Sequence, residues 1–186
     1  MRNARAEAFN RKAASKKSRP DEIIGSLGLK RGQRVADIGA GGGYFSLRFA
    51  EIVGAKGRVY AVDTNGDFLE FIRDAAGEKG IGNLETVLAE GSEPRLPKRG
   101  LDLIFLRNVT HHIKNREEYF RGFRRFLKPG GKVAIIEYGA GISLTFHGLF
   151  GHKVPKETIR REMRAAGYSL ENDLNFLSGQ HFTIWR

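Results

Sequence analysis

One stretch constrains this chain more than any other: Val35-Ala36-Asp37-Ile38-Gly39-Ala40-Gly41-Gly42-Gly43-Tyr44-Phe45. A short apolar run stops at glycine, and four of the next five positions are glycine (Gly39, Gly41, Gly42, Gly43). An apolar-periodic helix then follows over Tyr44–Val53 and ends at Gly54. Strand, glycine turn and helix in that order form a place where the backbone turns tightly and a ligand approaches with no Cβ in the way. In an open α/β sheet, the crevice at the carboxyl ends of the strands is the usual ligand site.

The same rhythm continues through the chain. Gly57–Val62, Leu84–Ala89, Leu101–Leu106 and Lys132–Tyr138 read as short strands, largely apolar as strands buried on both faces are. Helices are predicted over Asp67–Lys79 and Lys156–Ala166, and another opens at Pro20-Asp21-Glu22 and closes at Gly28. Asn115 and Glu118 have the spacing of a capping box, starting a helix whose core face is Tyr119, Phe123, Phe126 and Leu127. Lys128-Pro129-Gly130-Gly131 reads as a sharp stop. The last residues, Gln180–Trp185 included, read as two final strands. The expected class is α/β: a mostly parallel sheet with helices on both faces.

Charge is unevenly distributed. The net charge is +11, and residues 1–34 hold ten Lys or Arg against three acids. Residues 1–18 are expected to be a basic arm or a short helix, ahead of one domain over 19–186. Such an excess attracts anions, nucleic acid among them. Phe9 is the only aromatic residue in that cluster, so a base-stacking platform is not favoured. The absence of cysteine excludes thiolate nucleophiles and cysteine metal sites. No apolar run approaches the roughly 18 residues of a membrane helix, and a cytoplasmic location is expected.

An acid at Asp63, ending the second strand about 20 residues past the loop, suits a ribose diol. Loop and acid together also occur in dinucleotide enzymes. Three details favour another ligand. Tyr44 stands where the third glycine of G-x-G-x-x-G belongs, and obstructs the close approach of a pyrophosphate. Asp37 would repel a diphosphate, but it faces a cation well, such as the amino acid end of S-adenosylmethionine. The chain also closes with a strand pair that breaks the alternation.

Four segments then carry a resemblance: Val-Ala-Asp-Ile-Gly-Ala-Gly-Gly-Gly-Tyr-Phe, Val-Tyr-Ala-Val-Asp-Thr-Asn, Arg-Asn-Val-Thr-His-His-Ile, and Phe-Leu-Lys-Pro-Gly-Gly-Lys-Val-Ala-Ile-Ile-Glu. Their order and spacing resemble the class I S-adenosylmethionine-dependent methyltransferases, especially the small ones related to the ubiquinone/menaquinone type. The resemblance covers residues 19–186. It implies a Rossmann-like seven-stranded sheet, mostly parallel, with an antiparallel C-terminal strand. By the same resemblance, Asp37, Gly39, Ala40 and Gly41 hold the methionine moiety, and Gly43 and Tyr44 complete the turn. Asp63 binds the ribose with Thr64 and Asn65 beside it, and Phe68 packs on the adenine. Glu90 and Gly91 fall near the adenine amino group, and Asn108 touches the methyl donor from the other side.

Methyl transfer from a sulfonium needs mainly positioning and exclusion of water. A base is needed where the acceptor must lose a proton, and His111, His112, Tyr138 and His152 lie past strand ends on the ligand side. Adjacent residues point apart, so at most one of His111 and His112 serves as that base. Residues 139–154 read either as a lid over the acceptor or as a loop packed on the sheet. The five histidines lack the spacing of a zinc site, so no metal is expected. The acceptor is expected to be a small molecule. An RNA or protein methyltransferase, an NAD-dependent oxidoreductase and a non-catalytic binder of S-adenosylmethionine remain as alternatives.

Overall fold

In the computed structural model, which describes residues 3–89, 96–139 and 153–186, seven strands form one sheet. The strands are β1 (Arg34–Ile38), β2 (Arg58–Asp63), β3 (Leu84–Leu88), β4 (Leu101–Arg107), β5 (Leu127–Tyr138), β6 (Leu170–Leu174) and β7 (Gln180–Trp185). Their order across the sheet is β3-β2-β1-β4-β5-β7-β6. The first five run parallel, and β7 alone runs antiparallel to both of its neighbours. The helices are α1 (Ala4–Ala14), α2 (Pro20–Leu27), α3 (Tyr44–Val53), α4 (Gly66–Glu78), α5 (Arg116–Phe123) and α6 (Lys156–Ala165).

The sheet buries apolar side chains on both faces. On one, Phe45, Phe49 and Val53 of α3 and Ile23, Ile24 and Leu27 of α2 pack on Val35, Leu103, Phe105, Ala134 and Ile136. On the other, Phe120 and Phe123 of α5 and Ile159 and Met163 of α6 pack on Ile38, Ile104, Leu106 and Ile135. Alternate residues of each strand thus serve opposite cores, which is why these strands read as continuous apolar runs.

Residues 1–18 contain an ordered helix. Asn3 caps α1 by accepting the Ala6 N–H at 3.0 Å, and a 3-10 turn at Lys16–Ser18 leads toward α2. Three expectations need correction. The Asn115 side chain makes no capping hydrogen bond, so the predicted capping box does not form, and α5 ends at Phe123. Leu127 is no part of that helix either; it pairs with Leu101 as the first residue of β5. Lys128–Gly131 is carried inside β5 as a register shift opposite Leu101–Leu103, so its glycine and proline bend a strand rather than separate two elements.

Neighbouring strands on either side of β1 are reached in opposite directions, β2 one way and β4 the other. This reversal opens a crevice at the carboxyl ends of β1 and β4.

Candidate functional site

A cavity of about 1520 Å³ occupies that crevice. The glycine loop forms its floor. Gly39 and Ala40 donate their N–H groups to the Val62 carbonyl at 2.8 and 3.0 Å, which binds the start of the loop to β2. Gly39, Gly41 and Gly43 have φ of 74°, 56° and 79°, a region that L side chains rarely enter. Space is equally restrictive. A Cβ at Gly43 would lie 2.6 Å from Ile72 Cγ1 of α4, and one at Gly42 would lie 2.2 Å from the Ala6 carbonyl oxygen of α1.

Asp63, at the end of β2, ties the loop to the next turn. Its Oδ2 accepts the Gly41 N–H at 2.9 Å and its Oδ1 accepts the Asn65 N–H at 3.0 Å. Each carboxylate oxygen retains a lone pair for a further donor. Asn65 spends its own side chain capping α4, accepting from Asp67 N and Phe68 N. Thr64 is exposed at the cavity wall. Phe68 is buried and meets Phe9 of α1 edge to face at 5.6 Å; Phe9 remains 42% exposed, and the Arg5 guanidinium lies 5.7 and 5.6 Å from the centres of the Phe9 and Phe68 rings.

Asp37 is buried at the end of β1 and accepts the Ser46 hydroxyl at 2.6 Å. Burial pushes its carboxyl up to about 6; the Ser46 hydrogen bond and Arg107 counteract this, while Asp63 adds to it. A cationic group entering here would restore the charge that burial disfavours. Tyr44, beside the loop, has its hydroxyl held by Arg48 at 3.1 Å. Asn108, after β4, sits at φ 55° and accepts from Gln180 Nε2 at 2.5 Å.

Among the expected bases, His111 has the most defined setting. Its Nδ1 lies 3.1 Å from both oxygens of Glu137, a fully buried carboxylate on β5. Glu137 also accepts from Thr110 Oγ1 at 2.7 Å and Tyr138 N at 2.8 Å. Burial opposes ionisation of Glu137, yet the hydrogen bonds from His111, Thr110 and Tyr138 together hold its pKa below the ordinary value. With Glu137 at Nδ1, the proton-accepting nitrogen of neutral His111 is Nε2. His112 is more exposed, its ring 4.1 Å from that of His111. Tyr138 lines the cavity with both histidines. Glu90, Gly91, His152 and most of the expected lid over 139–154 lie outside the described residues.

Sequence reasoning missed α1 as part of this site. Asn10 donates to the Gly42 carbonyl at 2.7 Å and accepts the Tyr44 N–H at 3.1 Å. It also missed Glu137 and Arg107, although each left a signal: a charge ending a strand that is otherwise apolar, Val133–Ile136 in one case and Leu103–Leu106 in the other.

The methyltransferase domain family matches residues 36–135. A ubiquinone/menaquinone biosynthesis C-methyltransferase from Pseudomonas fluorescens is 37% identical over 116 residues, covering 60% of this chain and 44% of that protein. The chain spans about half the length of the curated relatives it matches. A crystal structure of a SAM-dependent methyltransferase from Aquifex aeolicus is similar at a TM-score of 0.84, with 20% identity and 96% of each chain covered. A Haemonchus contortus phosphoethanolamine N-methyltransferase, solved with S-adenosylhomocysteine, is similar at a TM-score of 0.68 and 25% identity over 84% of this chain and 38% of its own.

Proposed function

This chain belongs to the methyltransferase domain family, and we propose that it methylates a small organic molecule with S-adenosylmethionine as donor. The observation that carries this reading is Asp63: its carboxylate is anchored to the glycine loop at Gly41 and faces the cavity with lone pairs suited to a ribose diol. The surrounding residues fit the rest of the donor. Asp37 offers a buried carboxylate to an ammonium, and the exposed Phe9 beside Phe68 offers a ring to adenine. Gly39 and Gly41 keep the loop free of side chains where the methionine end would lie. When bound, the donor supplies an electrophilic methyl group on a sulfonium.

The protein's own task is positioning and proton removal. The relatives' printed name, C-methyltransferase, supports an acceptor whose reacting carbon gives up a proton. His111 takes that proton at Nε2. Glu137 holds the ring through Nδ1 and stabilises the imidazolium that results. Tyr138 and His112 stand beside this pair as lining groups.

Calorimetric titration of the full chain with S-adenosylmethionine, S-adenosylhomocysteine and NAD tests the reading. The first two are expected to bind and NAD is not. Tight binding of NAD with none of S-adenosylmethionine would overturn it. Transfer of labelled methyl to acceptors extracted from the source cells then tests catalysis against mere binding.

A further inference from the structure

The parallel strands β1, β2, β4 and β5 point their amino ends the same way, so the turns that lead into them share one edge of the sheet, opposite the cavity. That edge is basic. Lys30 and Arg31 precede β1, which opens on Arg34. Lys56 precedes β2, which opens on Arg58. Lys98 and Arg99 precede β4. Every one of these residues is exposed, and none is within ion-pair distance of a carboxylate among the described residues. Lys128 and Lys132 of β5 extend the row but are paired with Asp102 and Glu171. The acids left at this end, Glu51 and Glu78 in the last turns of α3 and α4 and Glu85 in β3, lie toward the β2–β3 side.

Like charges so placed repel one another. Arg34 and Arg58 are direct register partners, about 5 Å apart across the sheet, where like charges are destabilising. Arg99 holds φ of 51°, a conformation that favours glycine, with its N–H donated to the Arg125 carbonyl at 2.8 Å. A surface charged in this way suits a partner with regularly spaced negative charge. From β2 to β4 the row crosses two strand spacings, about 10 Å, and the flanking turns widen it. Over such a span a nucleic acid duplex presents several phosphates.

The chemistry of the edge separates the polyanions that could sit on it. A membrane-binding face adds apolar anchors to its cations, and a single-stranded nucleic acid is held on aromatic platforms. Among the described residues the exposed large apolar side chains are Phe9, which lines the cavity, and Leu88, at the carboxyl end of β3. Both lie at the opposite end of the sheet. Cations without apolar or aromatic neighbours match a duplex held through its phosphate backbone.

We propose that the amino-terminal edge of the sheet, from Lys30 and Arg34 through Arg58 to Arg99, binds the phosphate backbone of a nucleic acid duplex. The length of β1, about 15 Å, separates this edge from the glycine loop, so the duplex docks away from the donor crevice. The proposal therefore stands apart from the methyltransferase reading.

The test is fluorescence anisotropy of labelled DNA and RNA duplexes of about 20 base pairs, titrated with the full chain between about 50 and 200 mM salt. Micromolar binding is expected at about 100 mM salt, with log affinity falling against log salt at a slope of about −3 or steeper. A Lys30→Gln, Arg34→Gln, Arg58→Gln triple variant is expected to bind about tenfold or more weakly, with the slope flattened by about 2–3 and S-adenosylhomocysteine affinity unchanged. A Lys16→Gln, Lys17→Gln, Arg164→Gln variant removes the same charge from exposed positions elsewhere and is expected to stay within about twofold of the wild type. Equal loss in the two triple variants overturns the proposal, because net charge and not this edge then drives binding. Absence of duplex binding at the lowest salt also overturns it. Tighter binding to phosphatidylglycerol vesicles than to either duplex does so too, and assigns the edge to a membrane. If the first triple variant does not fold, the single variants Arg34→Gln and Arg58→Gln decide, each expected to flatten the slope by about 1.

Discussion

Asn10 and Gly42 are joined by a 2.7 Å hydrogen bond from the Asn10 amide to the glycine carbonyl, across 32 residues of chain. The same side chain accepts the Tyr44 N–H, so one residue of α1 braces the loop at two points. Helix α1 is therefore part of the binding floor rather than an appendage to it.

Asn10→Ala removes both braces. Each such bond contributes about 0.5–1.5 kcal/mol. The expected result is a roughly tenfold weaker binding of S-adenosylhomocysteine with little change in circular dichroism, measured by calorimetry on both proteins.

Asp37→Asn is expected to stabilise the protein and weaken ligand binding. The Asp37 pKa rises on folding from 3.8 to about 6, so the native state holds more protons than the unfolded state between those values. Stability from this group is therefore full below about pH 4 and falls as pH rises toward 6. Ionised Asp37 costs the fold on the order of 1–3 kcal/mol at pH 8, and Asn removes that cost while still accepting from Ser46. Urea unfolding at pH 4 and pH 8 checks this: the variant should exceed the wild type at pH 8 only. Equal stability at pH 8 would falsify the assignment.

Asp63→Ala deletes the acceptor of the Gly41 and Asn65 N–H groups as well as the ribose partner. Hydrogen bonds to a charged group contribute about 1.5–3 kcal/mol, so S-adenosylhomocysteine affinity should fall about tenfold to a hundredfold. Unchanged affinity in a calorimetric titration would remove Asp63 from the site.

Glu137→Gln and His111→Ala address proton removal. Glu137 is a positioning residue, and its hydrogen bonds hold its pKa below the ordinary 4.5, so its ionised form stabilises the fold above that range and the contribution is lost on acidification. Both substitutions should lower kcat by roughly 10²-fold or more, with S-adenosylhomocysteine affinity unchanged. A drop in ligand affinity equal to the drop in kcat would point to collapse of the Thr110–His112 turn instead.

Much of this molecule is legible locally. The strands show as apolar runs because each is buried on both faces, and the loop shows because positive φ and close packing against Ile72 and Ala6 admit only glycine. Asp37 and Asp63 show because one stands next to last in β1 and the other ends β2, both beside that loop. Local signals misread the region after α5. Lys128–Gly131 has the composition of a terminator, yet pairing of Leu127 with Leu101 draws it into β5. The Asn115–Glu118 spacing is likewise a local pattern whose side-chain cap does not form.

The sequence by itself determined the order of strands and helices, the glycine loop and the two acids flanking it, since these follow from backbone conformation and residue period within a few positions. Tertiary structure alone decided which distant residues complete the site. Asn10 reaches Gly42, Glu137 orients His111, and Arg107 faces Asp37 only because sheet order brings β1, β4 and β5 together and α1 folds over their ends. Such contacts depend on packing between elements, and no local period encodes them.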